Sequence, residues 1–337
     1  MRRPIVLATA LISLLVPGAA QALDVGVTYH TSDQDRIARV HARSQTTSTT
    51  FGWAMAQPQL WQYLTQTYNW TRQDEIVTEA ARAGIPLLAR LHGMPEYASC
   101  RWAADPNDNF RAGWYAFVNA AVRRYRPGGT FWQENPGLSP TTIEWQVHNE
   151  PNLPEYWCGA TAPAAYGRYF VETAQEIHSV APQATVVSAG LSSTEIRSNN
   201  YWFTRTMLGV PGFLAQAGPI AFHPYGQYAS DVMSHLNDFR DVLQQEGHGG
   251  AMYATEFGWH QNPTRAPHLY AGELDHKTRL EETLSRMRAQ QDALNLNSVF
   301  IYTAYDKRSP DPANWTHYAG LYRADGSAKP AASVLPR

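Results

Sequence analysis

Short apolar runs alternate along the chain with amphipathic stretches of helical periodicity. The runs predict eight strands, which are Asp24–Thr28, Thr47–Trp53, Ile85–Leu91, Ile143–His148, Ala184–Gly190, Pro219–His223, Ala251–Thr255 and Ser298–Ala304. The amphipathic stretches predict helices at Arg72–Ala83, Phe110–Arg126, Ala164–Val180, Val232–Gln245 and Leu274–Leu294. The second strand is the least distinct, because residues 46–50 are polar and fit a loop equally well. Alternation of strands and helices is typical of βα units around a parallel sheet.

Eight such units predict a (β/α)8 TIM barrel, an α/β fold, as a single catalytic domain over residues 23–337 with enlarged loops on its top face. The spacing of about 39 residues per unit suits this barrel. A doubly wound open sheet is the alternative, and it favours a glycine-rich phosphate loop after an early strand. The sequence contains no G-x-G-x-x-G and no G-x-x-x-x-G-K.

The first 22 residues have the three regions of a secretory signal peptide. Arg2 and Arg3 precede an apolar stretch, and Ala20 and Ala22 match an A-x-A cleavage site. The apolar stretch is too short to span a bilayer. We therefore expect a secreted or periplasmic protein, cleaved near Ala22 and without a membrane anchor.

Composition narrows the classes of partner. Hydrophobic residues make up 44% and charged residues 17%, which fits a packed core and excludes disorder. Lys+Arg 27 against Asp+Glu 29 gives a net charge of −2, so no electrostatic signature of nucleic-acid binding is present. The 11 Trp and 18 Tyr, in a chain with few charges, indicate that some aromatic rings contact a ligand. We also expect the protein to be a monomer.

Two glutamates follow predicted strands where barrel enzymes place their catalytic groups. Glu150 follows the fourth strand and precedes Pro151, and Glu256 follows the seventh and precedes Gly258 by two positions. Glu is rarely buried unless it has a partner or a task. Cleavage of a glycosidic bond needs such a pair. One carboxylic acid protonates the departing oxygen, and one carboxylate stabilises the developing oxocarbenium ion. The other interpretation is that either Glu forms a structural salt bridge.

The residues around both glutamates resemble known motifs. The stretch Trp145–Asn152 resembles the fourth-strand motif of clan-A glycoside hydrolases, where N-E-P carries the acid/base Glu. Ala254–Trp259 is similar to their seventh-strand motif, which carries the nucleophile. Gly320–Tyr322 and Asp325–Pro330 also look like the segment that closes many such barrels. The sequence is closest in look to glycoside hydrolase family 39, with family 5 as a near alternative.

The resemblance implies a role for each matching residue. Glu150 is expected to be the general acid/base and Glu256 the nucleophile. Asn149 is expected to bond the sugar 2-hydroxyl, Tyr225 to keep Glu256 ionised and His223 to support that end of the site. His148 departs from the family, where Trp or an apolar residue is common.

Further substrate contacts are expected from strand ends and loops. Arg90 and His92 end the third strand, and Tyr305 stands near the place of a family Trp that forms the floor of the cleaved sugar's subsite. Four loop tryptophans are candidates for stacking on sugar rings, and we expect at least two of them to contact substrate. They are Trp53, Trp157, Trp259 and Trp315.

No cofactor is expected. Four histidines near strand ends are candidate metal ligands, but no H-x-x-x-H spacing occurs. They are His92, His148, His223 and His260. The absence of G-x-S-x-G disfavours a serine hydrolase. The loop Asp105–Asp108 fits either a calcium site or, preferably, a polar loop before a helix.

The sequence thus predicts a secreted retaining β-glycosidase that attacks a polysaccharide or oligosaccharide by double displacement. Three alternatives stay open. The first is a carbohydrate-binding barrel without catalysis, and the second is an exo-acting glycosidase of the xylosidase or iduronidase kind. The third acts on uronic acids or other anionic sugars, for which Arg90 is the candidate cation.

Cys100 and Cys158 are the only cysteines in the sequence. Each lies about ten residues beyond a strand, the third or the fourth, so both are expected in neighbouring loops of the catalytic face. Export to an oxidising compartment permits a bridge between them. We predict a disulfide, with two unrelated buried thiols as the alternative.

Overall fold

A closed parallel barrel forms the centre of the molecule. The computed structural model describes residues 22–98, 110–157, 162–193 and 200–336. Nine strands run in the order β5-β4-β3-β2-β1-β9-β8-β7-β6, with every pair parallel. The strands are β1 Asp24–Thr28, β2 Thr46–Thr50, β3 Leu87–Leu91, β4 Ile143–Val147, β5 Val186–Val187, β6 Leu191–Ser192, β7 Ile220–His223, β8 Met252–Phe257 and β9 Leu296–Tyr302.

Helices surround the barrel. Those of the described residues are α1 Ala38–His41, α2 Trp53–Ala56, α3 Leu60–Leu64, α4 Thr71–Ala83, α5 Arg111–Tyr125, α6 Thr130–Glu134, α7 Pro163–Val180, α8 Trp202–Leu208, α9 Phe213–Gln216, α10 Ala229–Gln245, α11 Glu273–Ala289 and α12 Gln291–Leu294. Short 3-10 helices cover Thr31–Arg36, Pro154–Tyr156, Pro267–Leu269, Trp315–Tyr318 and Pro330–Val334. None of the helices described is long and apolar enough to cross a bilayer.

The fifth barrel strand is split, and its two halves close the barrel. β5 pairs with β4, while β6, which begins after three intervening residues, pairs with β7. Between them, Ser188 receives the Ala221 amide on its Oγ at 2.9 Å, and its own amide donates to the carbonyl of Pro219 at 3.2 Å. β5 and β6 therefore count as one barrel strand, and β7, β8 and β9 are the sixth, seventh and eighth.

The predicted TIM barrel is confirmed, and all eight predicted strands are present within a few residues. The polar second stretch forms a true strand, β2. Its threonine hydroxyls are buried but donate hydrogen bonds to backbone carbonyls. Thr47 Oγ1 donates to the Val27 carbonyl at 3.3 Å, and Thr49 Oγ1 donates to that of Tyr29 at 2.8 Å. β-branched side chains also suit the extended backbone.

The core has two parts. One large cluster lies between the barrel wall and the helices, where α5, α7 and α11 bury their apolar faces. A smaller cluster fills the inside of the barrel and comprises Leu88, Val187, Ala221, Tyr253 and Phe300. The barrel is therefore a packed support for whatever its carboxyl ends carry.

Candidate active site

The two glutamates singled out in the sequence lie on the same face of the barrel. Glu150 follows β4 by three residues, and Glu256 is the second-last residue of β8. Parallel strands bring their carboxyl ends together on one face. His223, the last residue of β7, lies between the two carboxylates.

His223 connects both carboxylates through a single nitrogen atom. Its Nδ1 is 2.8 Å from Oε1 of Glu150 and 3.8 Å from Oε2 of Glu256. These two oxygens are therefore at most about 6.6 Å apart, the sum of the two distances. That limit accommodates the separation of about 5 Å typical of retaining glycosidases.

Two further donors fix Glu256. Arg90 Nη1 donates to Oε1 at 2.6 Å, and the Tyr225 hydroxyl donates to Oε2 at 3.2 Å. The pKa of Tyr225 is raised well above its ordinary value by burial and by the charge of Glu256, so its hydroxyl keeps its proton. Glu256 thus receives a cation on one oxygen and a neutral donor on the other.

Asn149 joins this network through Arg90. Its Oδ1 accepts from Arg90 Nη1 at 3.1 Å. The backbone on either side is left-handed, with φ of 75° at His148 and 42° at Glu150. Such angles are unfavourable for side chains other than Gly and persist when surrounding contacts impose them. Here the His148 amide donates to the Leu91 carbonyl and the Glu150 amide to that of Gly190, at 2.9 and 3.0 Å.

His92 and His148 pack together beside Asn149. Their ring centroids are 4.8 Å apart with the planes nearly perpendicular, and His148 Nδ1 lies 3.0 Å from the Asn149 carbonyl oxygen. Burial lowers the pKa of His148 to about 4 and takes that of His92 well below its usual value. Both imidazole rings are therefore uncharged near neutral pH. They can form hydrogen bonds without adding a positive charge beside Arg90.

The four candidate tryptophans differ in burial, and Trp315 alone among them is partly exposed. Trp53, Trp157 and Trp259 are buried, and the indole N–H of Trp259 donates to the Gln227 carbonyl at 2.9 Å. Trp315 is half-buried, and its ring centroid lies 5.7 Å from that of Tyr225. The expectation that at least two of these tryptophans, Trp259 among them, stack on substrate stays a prediction.

Tyr305, expected from the sequence near the floor of the subsite, makes its contacts with Arg36, and its contact with a sugar stays a prediction. It is buried, its hydroxyl donates to the Arg36 carbonyl at 2.8 Å, and the Arg36 guanidinium lies over its ring at 4.0 Å. Tyr302, the last residue of β9, lies near Glu256. Burial and the charge of Glu256 together raise the pKa of Tyr302.

Three residues of the site went unrecognised in the sequence. Tyr302 has its hydroxyl 3.2 Å from His30 Nε2, and burial lowers the pKa of His30 to about 3. Tyr156 is 42% exposed, and its pKa is raised to about 12 by burial, then by Glu150 and Glu256. His30 and Tyr302 stand at strand ends, but a strand-end position alone gave neither residue a role, because their contacts depend on side chains far away in the sequence. Tyr156 follows Glu150 by six residues in its loop.

Other sequence-based expectations have no test in the structure. Cys100, Cys158, the loop Asp105–Asp108 and the expected signal segment before Ala22 lie outside the described residues. Within the described ranges, no group of three or more His, Cys, Asp or Glu side chains is placed to hold a metal ion. His260 is buried, with its Nε2 3.2 Å from the Ala266 carbonyl oxygen.

The (β/α)8 fold is similar to the folds of several solved glycoside hydrolases. No protein-family model and no curated protein matches the sequence. Solved structures do match: a GH39 enzyme from Xanthomonas axonopodis pv. citri has a TM-score of 0.67 at 16% identity, covering 92% of this chain and 65% of that one. A monomeric β-xylosidase from Caulobacter crescentus has a TM-score of 0.65 at 16% identity, covering 92% and 66%.

The similarity extends to shorter enzymes of the same fold. A xylanase from Paenibacillus barcinonensis has a TM-score of 0.61 at 14% identity, with 94% of this chain and 96% of that chain covered. The present chain therefore spans about two thirds of the two proteins from Xanthomonas and Caulobacter and nearly the whole of the xylanase. At these identities the comparison establishes the fold alone.

Proposed function

We propose that the protein is a retaining β-glycosidase with Glu256 as nucleophile and Glu150 as general acid/base. The observation that carries this proposal is the pair of carboxylates from β4 and β8 joined by His223 within about 6.6 Å. That upper limit lies below nearly all of the range of about 6.5–9.5 Å for inverting enzymes, which supports direct attack by one carboxylate on the sugar while the other protonates the leaving oxygen.

The contacts of each carboxylate support the division of roles. Glu256 accepts hydrogen bonds from a guanidinium and a neutral hydroxyl, which hold both of its oxygens in place for attack on the sugar. Glu150 bonds to His223 alone among the side-chain partners found for it. In the first step Glu256 attacks the anomeric carbon and Glu150 gives its proton to the departing oxygen. In the second step Glu150 takes a proton from water while the water oxygen bonds to the anomeric carbon, and the bond between that carbon and Glu256 breaks.

We infer that the sugar bound between the glutamates is uncharged. Arg90, the candidate cation for an anionic sugar, is already paired with Glu256 and bonded to Asn149. A uronate at this point would have to compete with Glu256 for the same guanidinium. The similarity to a β-xylosidase and a xylanase makes xylosides the first substrates to try.

Hydrolysis of aryl β-glycosides tests the proposal against a binding protein without catalysis. Xylosides, glucosides, mannosides and glucuronides form the panel, and NMR follows the anomer released first. We expect cleavage of at least one neutral glycoside with retention of configuration. Release of the inverted anomer would contradict the mechanism. Failure to cleave any glycoside or polysaccharide would favour the non-catalytic barrel.

A fluorinated glycoside that accumulates the covalent intermediate identifies the nucleophile. Mass spectrometry of the digested protein should find the sugar on the peptide that contains Glu256. Labelling of another carboxylate would contradict the assignment. Product sizing on xylan and mannan then separates internal attack, which we favour, from removal of terminal sugars.

We also propose that the protein acts outside the cytoplasm, on the basis of the signal-peptide pattern before Ala22 and the cysteine pair. Sequencing of the exported protein should give a new N-terminus near Leu23. Denatured, unreduced protein should react with no alkylating reagent if Cys100 and Cys158 are bridged. Two labelled cysteines per chain would contradict the bridge.

A further inference from the structure

Three apolar side chains are exposed together where α10 and α11 begin. Tyr228, which directly precedes α10, is 52% exposed, Tyr270 is 40% exposed, and Leu274 in the first turn of α11 is 72% exposed. Helices that follow barrel strands begin on the catalytic face. We call these three residues the rim patch, because they lie at the edge of the face that carries Glu256.

Arg279 fixes the two loops that form the rim patch. Its guanidinium lies 5.0 Å from the centre of the Tyr228 ring, and its Nη1 donates to the carbonyls of Gln227 and Tyr270 at 2.6 and 3.3 Å. Asp275 pairs with the same guanidinium at 2.5 Å. An exposed ring held in this way loses little side-chain entropy when a ligand stacks on it.

Ring contacts connect the rim patch with the candidate active site. The centroids of Tyr270 and His260 are 6.4 Å apart, and those of His260 and Trp315 are 5.3 Å apart. Trp315 in turn contacts Tyr225, which donates to Glu256. The patch and the site are therefore two parts of one continuous wall, formed by the loops after β7, β8 and β9.

We propose that the rim patch is a second glycan-binding site, which holds a segment of a polysaccharide away from the bond being cleaved. The inference rests on the proposed glycosidase function. Sugar rings stack their C–H faces on aromatic rings, and the edge of Tyr228 offers hydrogen bonds through its hydroxyl and Gln227 Nε2, 3.2 Å apart. Arg279, the cation in contact with Tyr228, is paired with Asp275, and the Asp231 carboxylate accepts from the Tyr228 amide at 3.0 Å, so no unpaired cation recruits an anionic polymer through Arg279.

The experiment measures retention in native gels that contain soluble xylan, mannan or β-glucan. The chain carries Glu256→Gln so that it does not digest the gel. Tyr228→Ala/Tyr270→Ala should weaken retention on one of these polymers by about fivefold or more, since each stacked ring contributes about 1 kcal/mol. Trp61→Ala is the matched control, because Trp61 is 59% exposed on α3, in the loop after β2 rather than β7 or β8.

Equal retention of the double variant and its parent would overturn the inference, as would an equal loss in the Trp61→Ala control. Absence of retention of the parent on all three polymers would overturn it too. In the chain with Glu256 intact, the double variant should cleave aryl glycosides at the parent rate but hydrolyse the polymer more slowly. If the parent cleaves aryl glycosides and retention is unaffected by the double variant, the second site alone is wrong. If the parent cleaves nothing, the glycosidase proposal itself fails.

Discussion

Arg90 and Glu256 form a buried ion pair at the centre of the candidate site. Their side chains are 9% and 10% exposed, and the contact is 2.6 Å long. Removing one partner of such a pair leaves a buried charge without compensation, whereas removing both leaves none. The ion pair can therefore be tested by its effect on the free energy of unfolding as well as by its effect on activity.

Arg90→Met should lower the free energy of unfolding by about 3 kcal/mol or more. Arg90→Met/Glu256→Gln should be more stable than Arg90→Met alone, because the unpaired carboxylate is gone. Urea titration measures both variants against Glu256→Gln. Strictly additive losses would show that the two side chains do not interact.

The two glutamates should differ in their dependence on the leaving group. Glu256→Gln should abolish turnover of every substrate, because the amide cannot form the glycosyl-enzyme. Glu150→Ala should slow substrates with poor leaving groups by about 100-fold or more but spare activated aryl glycosides, and azide should restore part of the rate. Steady-state kinetics over a leaving-group series measures this. If both variants responded alike and neither responded to azide, the assignment of roles would be wrong.

At the scale of single residues, the sequence predicted where the strands end but not which groups surround each side chain. Glu150, Glu256, His223 and Tyr225 come together because parallel strands end on one face. Tyr305 lies three residues beyond the end of β9, and its hydroxyl donates to the Arg36 carbonyl, a contact that the local sequence does not encode. Whether a loop tryptophan is covered depends on loop packing, which local sequence does not encode.

At the scale of elements, Gly84 ends α4 in the left-handed conformation. Its φ is 66°, and its amide donates to the carbonyls of Ala80 and Ala81. Gly84→Ala should destabilise the protein by about 1 kcal/mol, since Ala is strained at positive φ although no neighbouring atom lies close to the new methyl group. Gly209→Ala is the control, because Gly209 caps α8 with φ of −71°. Denaturant titration should show no comparable loss there.

Element boundaries followed the sequence where periodicity was strong. α4, α5 and α7 lie within one residue of their predicted bounds, because their apolar faces repeat over several turns. The short helices α1, α2 and α3 were not predicted, since one turn carries no periodicity. The split of the fifth barrel strand was also missed, as it depends on pairing with two different neighbours.

At the scale of the whole molecule, buried histidines make stability depend on pH. Burial lowers the pKa of His41 and His148 to about 4 and that of His276 to about 3, against 6.5 for an unperturbed imidazole. Below pH 6.5 the unfolded chain therefore binds protons that the folded chain does not. Stability is present in full above pH 6.5 and is lost as the pH falls toward 4.

Each of these histidines should contribute a loss of up to about 1.4 kcal/mol per pH unit in this window. Urea titration between pH 7 and pH 4.5 should show the decline, and His41→Gln should make it shallower. His41 is a suitable target because it lies in α1 and bonds to Thr47 Oγ1, away from the glutamates. A flat profile from pH 7 to pH 5 would contradict the prediction.

The fifth barrel strand is the thinnest part of the barrel wall, with two residues in β5 and two in β6. Glu150 and His223 face each other across it, since one follows β4 and the other ends β7. A local opening there would separate Glu150 from His223 while the remaining strands stayed paired. Heating should then abolish the proposed glycosidase activity at a lower temperature than it unfolds the whole chain. A sugar bound between Glu150 and His223 should protect that activity more than it raises the melting temperature.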